Sequence, residues 1–176
     1  MSTTNGGQAM GSDQFPVPPS PLLQGRFEGR SEFAELVRHA FVVAAEQGWR
    51  EIIVCDANFE DWPLGERVVA KALNDWSASG RKLTMLAQNY DEVIRRHARF
   101  VTWRRTWSHI VDCRGHASGE LPSVFWSPGW AFERLDLAHS TGVAGSEAGR
   151  RIALKERLAE KLLRSSPTFA ATTLGI

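Results

Sequence analysis

Between residues 22 and 164 the apolar positions follow two rhythms, one with the period of a helix and one in short unbroken runs. Phe33, Leu36, Val37, Ala40, Phe41 and Ala44 share one face of a helix that Ser31 caps and Gly48 ends. Residues 51–56, Glu-Ile-Ile-Val-Cys-Asp, form a short β-branched run of the kind buried in a parallel sheet. A loop over 57–62 leads to Pro63, which suits a first helical turn because its missing N–H has no partner there. The helix so opened carries Val68, Val69, Ala72, Leu73 and Trp76 and stops at Gly80. Residues 82–87 predict a second strand. Asn89 and Glu92 have the spacing of a capping box, and Val93, Ile94, His97, Phe100, Val101, Arg104 and Trp107 trace one face of a long helix over 89–108. Residues 110–114 predict a third strand.

Strands alternating with helices imply parallel pairing through right-handed crossovers. The pattern then changes. Residues 123–126 and 130–135 read as a hairpin around Pro128-Gly129, and 140–145 add a short strand. Ser146 is placed to cap a last helix carrying Ile152, Leu154, Leu158, Leu162 and Leu163. The expected fold is α/β, a mostly parallel sheet flanked by helices with a C-terminal β-hairpin. It fills one domain over residues 22–164. Residues 1–21 are rich in Gly, Ser and Thr and end in the cluster Pro16, Pro18, Pro19, Pro21, which favours an extended linker. Residues 165–176 form a polar tail.

Composition narrows the class. The chain has 176 residues, 43% apolar and 23% charged, as globular proteins do. A net charge of +1 supplies no global field toward nucleic acid or an anionic membrane, so any such affinity must be local. No apolar run is long enough to span a bilayer, and the first residues lack the basic start and apolar stretch of a secretory signal. Cys55 and Cys113 sit inside strand-like runs and read as reduced core residues of a cytoplasmic protein. Six of the seven tryptophans fall between Trp62 and Trp130, which places most of the core there.

The strands around Cys55, Leu83 and Val111, two crossover helices and the aromatic hairpin from Val124 to Leu135 together resemble one half of the phospholipase D-like superfamily. More narrowly, Asp61-Trp-Pro-Leu-Gly-Glu66, the Phe125–Arg134 hairpin and Arg164-Ser-Ser-Pro167 look like a proteobacterial family of that topology to which no activity is assigned. The superfamily's chemistry requires H-x-K-x4-D, with His as nucleophile and Lys gripping the phosphate. With its Asp-Gly turn laid on Pro128-Gly129, Leu121 stands where the His belongs, Ser123 where the Lys belongs and Pro128 where the Asp belongs. No H-x-K occurs in the chain. The resemblance therefore implies a half-domain without the phosphoryl-transfer motif.

Other constellations are weaker. Cys113 and His116 have a C-x2-H spacing with His109 nearby, but no second pair completes a zinc site, so no metal and no cofactor is expected. Asp56, Glu60 and Asp61 follow the first strand, where open α/β sheets place their sites. Gly145-Ser-Glu-Ala-Gly149 lacks both the lysine and the strand–turn–helix context of a phosphate loop. On the helix over 89–108, Arg95, Arg99 and Arg96 share a side and could grip phosphates; otherwise they form a solvated, ion-paired face. Arg150 and Arg151 stand in the first turn of the last helix, against its dipole.

The binding candidates are thus Arg95, Arg96, Arg99, Asp56 and Asp61, with no catalytic residue named. The expected function is a non-catalytic interaction or regulatory module whose partner is nucleic acid or another phosphate-bearing molecule. The alternative is an enzyme acting on a phosphoester or nucleotide through an atypical site. No membrane partner is expected, and self-association stays open.

Overall fold

Short β-branched runs and amphipathic helices assemble into one eight-stranded sheet with helices on both faces in the computed structural model, which describes residues 21–171. The elements are β1 (Gly25–Phe27), α1 (Arg30–Gln47), β2 (Glu51–Cys55), α2 (Arg67–Trp76), β3 (Lys82–Ala87), α3 (Asp91–Arg96), α4 (Ala98–Thr106), β4 (Val111–Gly115), β5 (Ser123–Trp126), β6 (Ala131–Asp136), β7 (Thr141–Gly145), α5 (Ala148–Leu163) and β8 (Ser166–Pro167). Their order across the sheet is β1-β7-β6-β5-β2-β3-β4-β8. The proline-rich stretch through residue 20 lies outside the described residues.

The three expected parallel strands are present as β2, β3 and β4, paired in parallel through α2 and the α3–α4 segment. The hairpin around Pro128-Gly129 is β5–β6, and the expected short strand over 140–145 is β7. The sheet as a whole is mostly antiparallel, not mostly parallel: only β2–β3 and β3–β4 run parallel. Beyond β4 no helix separates successive strands until α5, and short connections can join only antiparallel neighbours. Three-residue β1 and two-residue β8 are too short to carry a periodic signal.

Alternation along the strands splits the core in two. Ile52, Val54, Leu83, Met85, Phe125 and Phe132 face α1, α2 and α4. Ile53, Cys55, Leu86, Val124 and Trp126 face Leu154 and Leu158 of α5. Trp62, Trp76 and Trp130 are fully buried, and Phe33, Trp62 and Phe132 meet edge to face or tilted at 5.6–5.7 Å between ring centroids. The indoles of Trp76, Trp126 and Trp130 donate to the carbonyls of Trp49, Arg151 and Leu23, so each ring fills core while its one polar atom is satisfied. Cys55 and Cys113 are buried free thiols, as expected.

Several local expectations give way to tertiary contacts. The helix expected over 89–108 breaks at His97, whose Nε2 lies 2.8 Å from the Phe59 carbonyl. Gly65 approaches that break so closely that a Cβ there would stand 3.0 Å from the Arg96 carbonyl oxygen. Ile94 turns outward, 56% exposed. The Asn89–Glu92 capping box does not form, because Glu92 is engaged by Arg95 and Arg96 instead. Ser31 lies inside α1, where Gly29 holds the cap and the Glu32 carboxylate accepts from the Glu28 N–H. Pro63 precedes α2 by a turn rather than opening it. Ser146 does not cap α5; its backbone N–H and hydroxyl both bond Gln24. Gly145–Gly149 does sit between a strand and a helix, contrary to expectation, though it still lacks a lysine.

Candidate ligand cleft

Parallel β2, β3 and β4 bring their carboxyl ends to one edge of the sheet, and the chain that follows each of them builds the walls of two adjoining cavities. The smaller, about 320 Å³, lies over the loop that follows β2 and includes Asp56, Glu60 and Asp61. The larger, about 780 Å³, lies between the 116–122 loop after β4, the ends of β5 and β6, and α5. Arg134 and Leu137 line both.

Arg134 is the anchor of this edge. It stands on β6 opposite Ser123 of β5 and is only 5% exposed. Its Nε donates to Ser123 Oγ at 3.2 Å, and Nη2 donates to Asp56 Oδ1 at 3.1 Å. Asp61 is gripped bidentately, by Nη1 at 2.5 Å and Nη2 at 3.1 Å, and Ser140 Oγ lies 3.4 Å from Nη1. All five guanidinium protons are thereby directed at acceptors. The Phe33 ring lies beneath, its centroid 4.0 Å from Cζ. Asp56 in turn accepts the backbone N–H groups of Phe59 and Asn58. Phe59 and Ser140 both adopt left-handed backbone, φ 57° and 50°, on either side of the cluster. Strain held by non-glycine residues commonly gathers where a site is over-determined.

The sequence-selected residues divide accordingly. Asp56, Asp61 and Arg96 line the smaller cavity, but both aspartates are occupied by Arg134. Arg96 pairs with Glu92 at 2.6 Å and Glu60 at 3.0 Å. Arg95 pairs with Glu92, and Arg99 donates to the Gly65 carbonyl; neither lines either of the two cavities. Hydrogen bonds from Arg95 above all, and from Arg96, hold the Glu92 carboxyl below the usual carboxylate range.

The larger cavity draws on residues that the sequence did not single out for binding. Arg157 and Lys161 of α5 and Arg164 at its C-cap recur at helical spacing and face it together. Leu121 and Ser123 form part of its floor, both buried, while Pro128 lies outside its lining. His116 is 8% exposed, lines the cavity, and has no side-chain hydrogen bond among the described residues; its Nδ1 is wholly enclosed. The loop bearing it is tied back by the His116 N–H to the Ala87 carbonyl and by Gln88 Nε2 to the Gly119 carbonyl. A signal for the row existed in the i, i+4, i+7 spacing of the three cations. Arg134 carried none, since its neighbours come from the loop after β2 and from Ser140. No cluster of three or more metal-ligating side chains occurs among the described residues, and no helix among them is long and apolar enough to cross a membrane.

Among solved structures, the chain is similar to TrmBL2, an archaeal chromatin protein whose structure shows a novel mode of DNA binding, with a TM-score of 0.61 and 16% identity over 89% of this chain. It spans 57% of the length of TrmBL2. It is also similar to NucT from Helicobacter pylori, with a TM-score of 0.54 and 9% identity, over 81% of this chain and 97% of that one. These likenesses are of fold, and the fold is phospholipase D-like. No family model matches the chain, and no curated protein matches it by sequence, so the narrower proteobacterial resemblance gains no support.

Proposed function

We propose that the protein is a non-catalytic interaction module that binds nucleic acid or another phosphate-bearing partner in the cleft between α5 and the 116–122 loop. One observation carries this reading. At the carboxyl ends of parallel strands, where α/β sheets hold ligands, a row of cations from Arg157 to Arg164 faces a floor of Leu121 and Ser123. Cations at that edge serve phosphate recognition, while a leucine and a buried serine in the place of a nucleophile and its lysine remove the superfamily's route to phosphodiester cleavage. Arg96, in the adjoining cavity, and Arg95 and Arg99 beside it extend the cationic surface, with their pull reduced by Glu92 and Glu60. The fold shared with a DNA-binding chromatin protein is compatible with this role. The two buried free thiols support a cytoplasmic location.

The test is fluorescence anisotropy with labelled single- and double-stranded oligonucleotides over a salt series. Binding is expected to weaken with salt, and Lys161→Ala with Arg164→Ala is expected to lower the slope by about one log unit per lost phosphate contact. No binding at low salt, or binding indifferent to both changes, refutes the reading. A second reading, phosphoester chemistry at an atypical site, is favoured by the unpartnered His116 in the same cavity as Glu120. Turnover of a generic phosphodiester by the pure protein, abolished by His116→Ala, would replace the first reading with the second.

A further inference from the structure

The cleft is not uniformly basic. Glu120, Glu133 and Glu160 stand among its three cations. Arg157 is committed to Glu133 at 2.9 Å, and Arg164 has Glu160 at 3.7 Å. Lys161 makes no ion pair among the described residues and is half-buried. A polyanionic backbone threaded through this space would meet Glu120 and Glu160 as often as it met a cation. A single, doubly charged group would not.

The interior supplies donors for such a group. The His116 ring, nine-tenths buried and without a protein partner, is costly to leave as it stands, because a buried polar atom without a hydrogen bond has given up water for nothing. Ser123 Oγ accepts from Arg134 Nε, which leaves its own proton free to donate into the cleft. Arg134 itself cannot serve, since its donors are spent on Asp56, Asp61 and the two serines. At about 780 Å³ the cavity is of the size that holds small organic ligands, and it exceeds what a phosphate alone fills.

Resting on the phosphate-binding reading above, we infer that the cleft recognises a terminal phosphomonoester, with His116 and Ser123 as buried donors and Lys161 as counter-charge. The ligand is a free nucleotide or the phosphorylated end of an oligonucleotide; both present the same dianion. The acids at the rim then meet the hydroxyls and amines of the remainder of the ligand rather than further phosphates.

The experiment titrates the full chain with one labelled single strand in three forms, bearing a 5′-phosphate, a 3′-phosphate or hydroxyls at both ends, and then competes with a nucleoside monophosphate or its nucleoside. At least one phosphorylated form should bind about tenfold or more tightly than the hydroxyl form, as one charge-assisted contact set allows. His116→Ala and, independently, Lys161→Met should erase that preference; Lys161 is only half-buried and makes no ion pair among the described residues, so its variant reports even if the His116 variant fails to fold. Displacement by the monophosphate but not by the nucleoside assigns the cleft to a free nucleotide, and displacement by neither assigns it to a nucleic-acid end. Equal binding of all three strands, with no displacement by the monophosphate, overturns this inference while leaving the proposed function standing. Failure of every strand and of the monophosphate to bind overturns both.

Discussion

Arg134 stands directly across the β5–β6 ladder from Ser123 and donates to its hydroxyl at 3.2 Å. If the superfamily's Asp-Gly turn is laid on Pro128-Gly129, Ser123 falls where its lysine would stand, and Arg134 puts a cation beside that point from the neighbouring strand. It is not available to a ligand in the same way. Asp56 and Asp61 close around it, and the trio carries one net negative charge.

This cluster should dominate the stability of the sheet edge. Arg134→Met leaves the Asp56 carboxylate, whose side chain is 5% exposed, without its counter-charge. Loss of one partner from a buried pair typically costs about 3–5 kcal/mol, because the survivor keeps its desolvation penalty. Adding Asp56→Asn should recover part of the loss. Urea denaturation of the two variants checks this, and a single variant within about 1 kcal/mol of the parent would show the cluster to be dispensable.

Arg104 invites the opposite expectation. It is also buried, 7% exposed, yet its Nε and Nη1 have no partner among the described residues and its one hydrogen bond, Nη2 to the Phe169 carbonyl, is 3.2 Å. A buried cation so poorly satisfied contributes little net stability, and an apolar side chain of similar length spares the desolvation. Arg104→Met should therefore leave the urea midpoint unchanged or raise it. A fall comparable to that of Arg134→Met would mean that Arg104 is paired in solution.

The contrast between these two arginines shows what the sequence could disclose. The strands β2, β3 and β4 were legible because each is a short β-branched run, and the β5–β6 turn because Pro128-Gly129 interrupts two aromatic stretches. The core aromatics were legible from their crowding between Trp62 and Trp130. Arg134 and Arg104 were not, since nothing in a strand or a helix pattern says that an arginine will turn inward. Arg134 is buried by a loop seventy-odd positions earlier, and Arg104 by the segment around Phe169. The break at His97 is likewise a tertiary event, set by Gly65 and Phe59. Asp56 and Asp61 were found from their place after β2, but their partner was not, so their chemistry read as open when it is occupied.

Alkaline pH should destabilise the fold. Burial pushes the Cys113 thiol up to about 11. It raises Cys55 and Tyr90 as well, and the Tyr90 hydroxyl lies 2.8 Å and 3.0 Å from the Arg114 and Met85 carbonyls, an arrangement that needs its proton. The unfolded thiol titrates near about 8.5. Above that value the unfolded chain sheds protons that the folded chain keeps, so the stabilisation is complete below about 8.5 and is lost as pH rises toward 11. Urea midpoints should fall across this window, and Cys113→Val should flatten the fall. In the same vein, neither thiol should react with iodoacetamide near neutral pH until denaturant is added, after which both should. Rapid native labelling would contradict their burial.

The last expectation ranks the two sets of arginines. Arg95 is held by Glu92, Arg96 by Glu92 and Glu60, and Arg99 by the Gly65 carbonyl, so each would have to surrender a partner to meet a phosphate. Hydrogen bonds from Arg95 above all, and from Arg96, hold the Glu92 carboxyl below the usual carboxylate range, and its charge offsets part of theirs. On α5, Lys161 has no such partner, and Arg164 has only a distant one at 3.7 Å. A phosphate therefore gains more from Lys161 and Arg164 than from the arginines of α3 and α4, since Lys161 has no ion pair to break among the described residues and Arg164 only a long one. Arg95→Ala with Arg99→Ala should keep the circular dichroism spectrum and thermal midpoint, and should leave the salt slope of oligonucleotide binding close to the parent value. Lys161→Ala with Arg164→Ala should lower both affinity and slope by more, measured on the same labelled strands. If the order is reversed, the binding surface lies on the helices of the opposite face and the cleft is not where the phosphate sits.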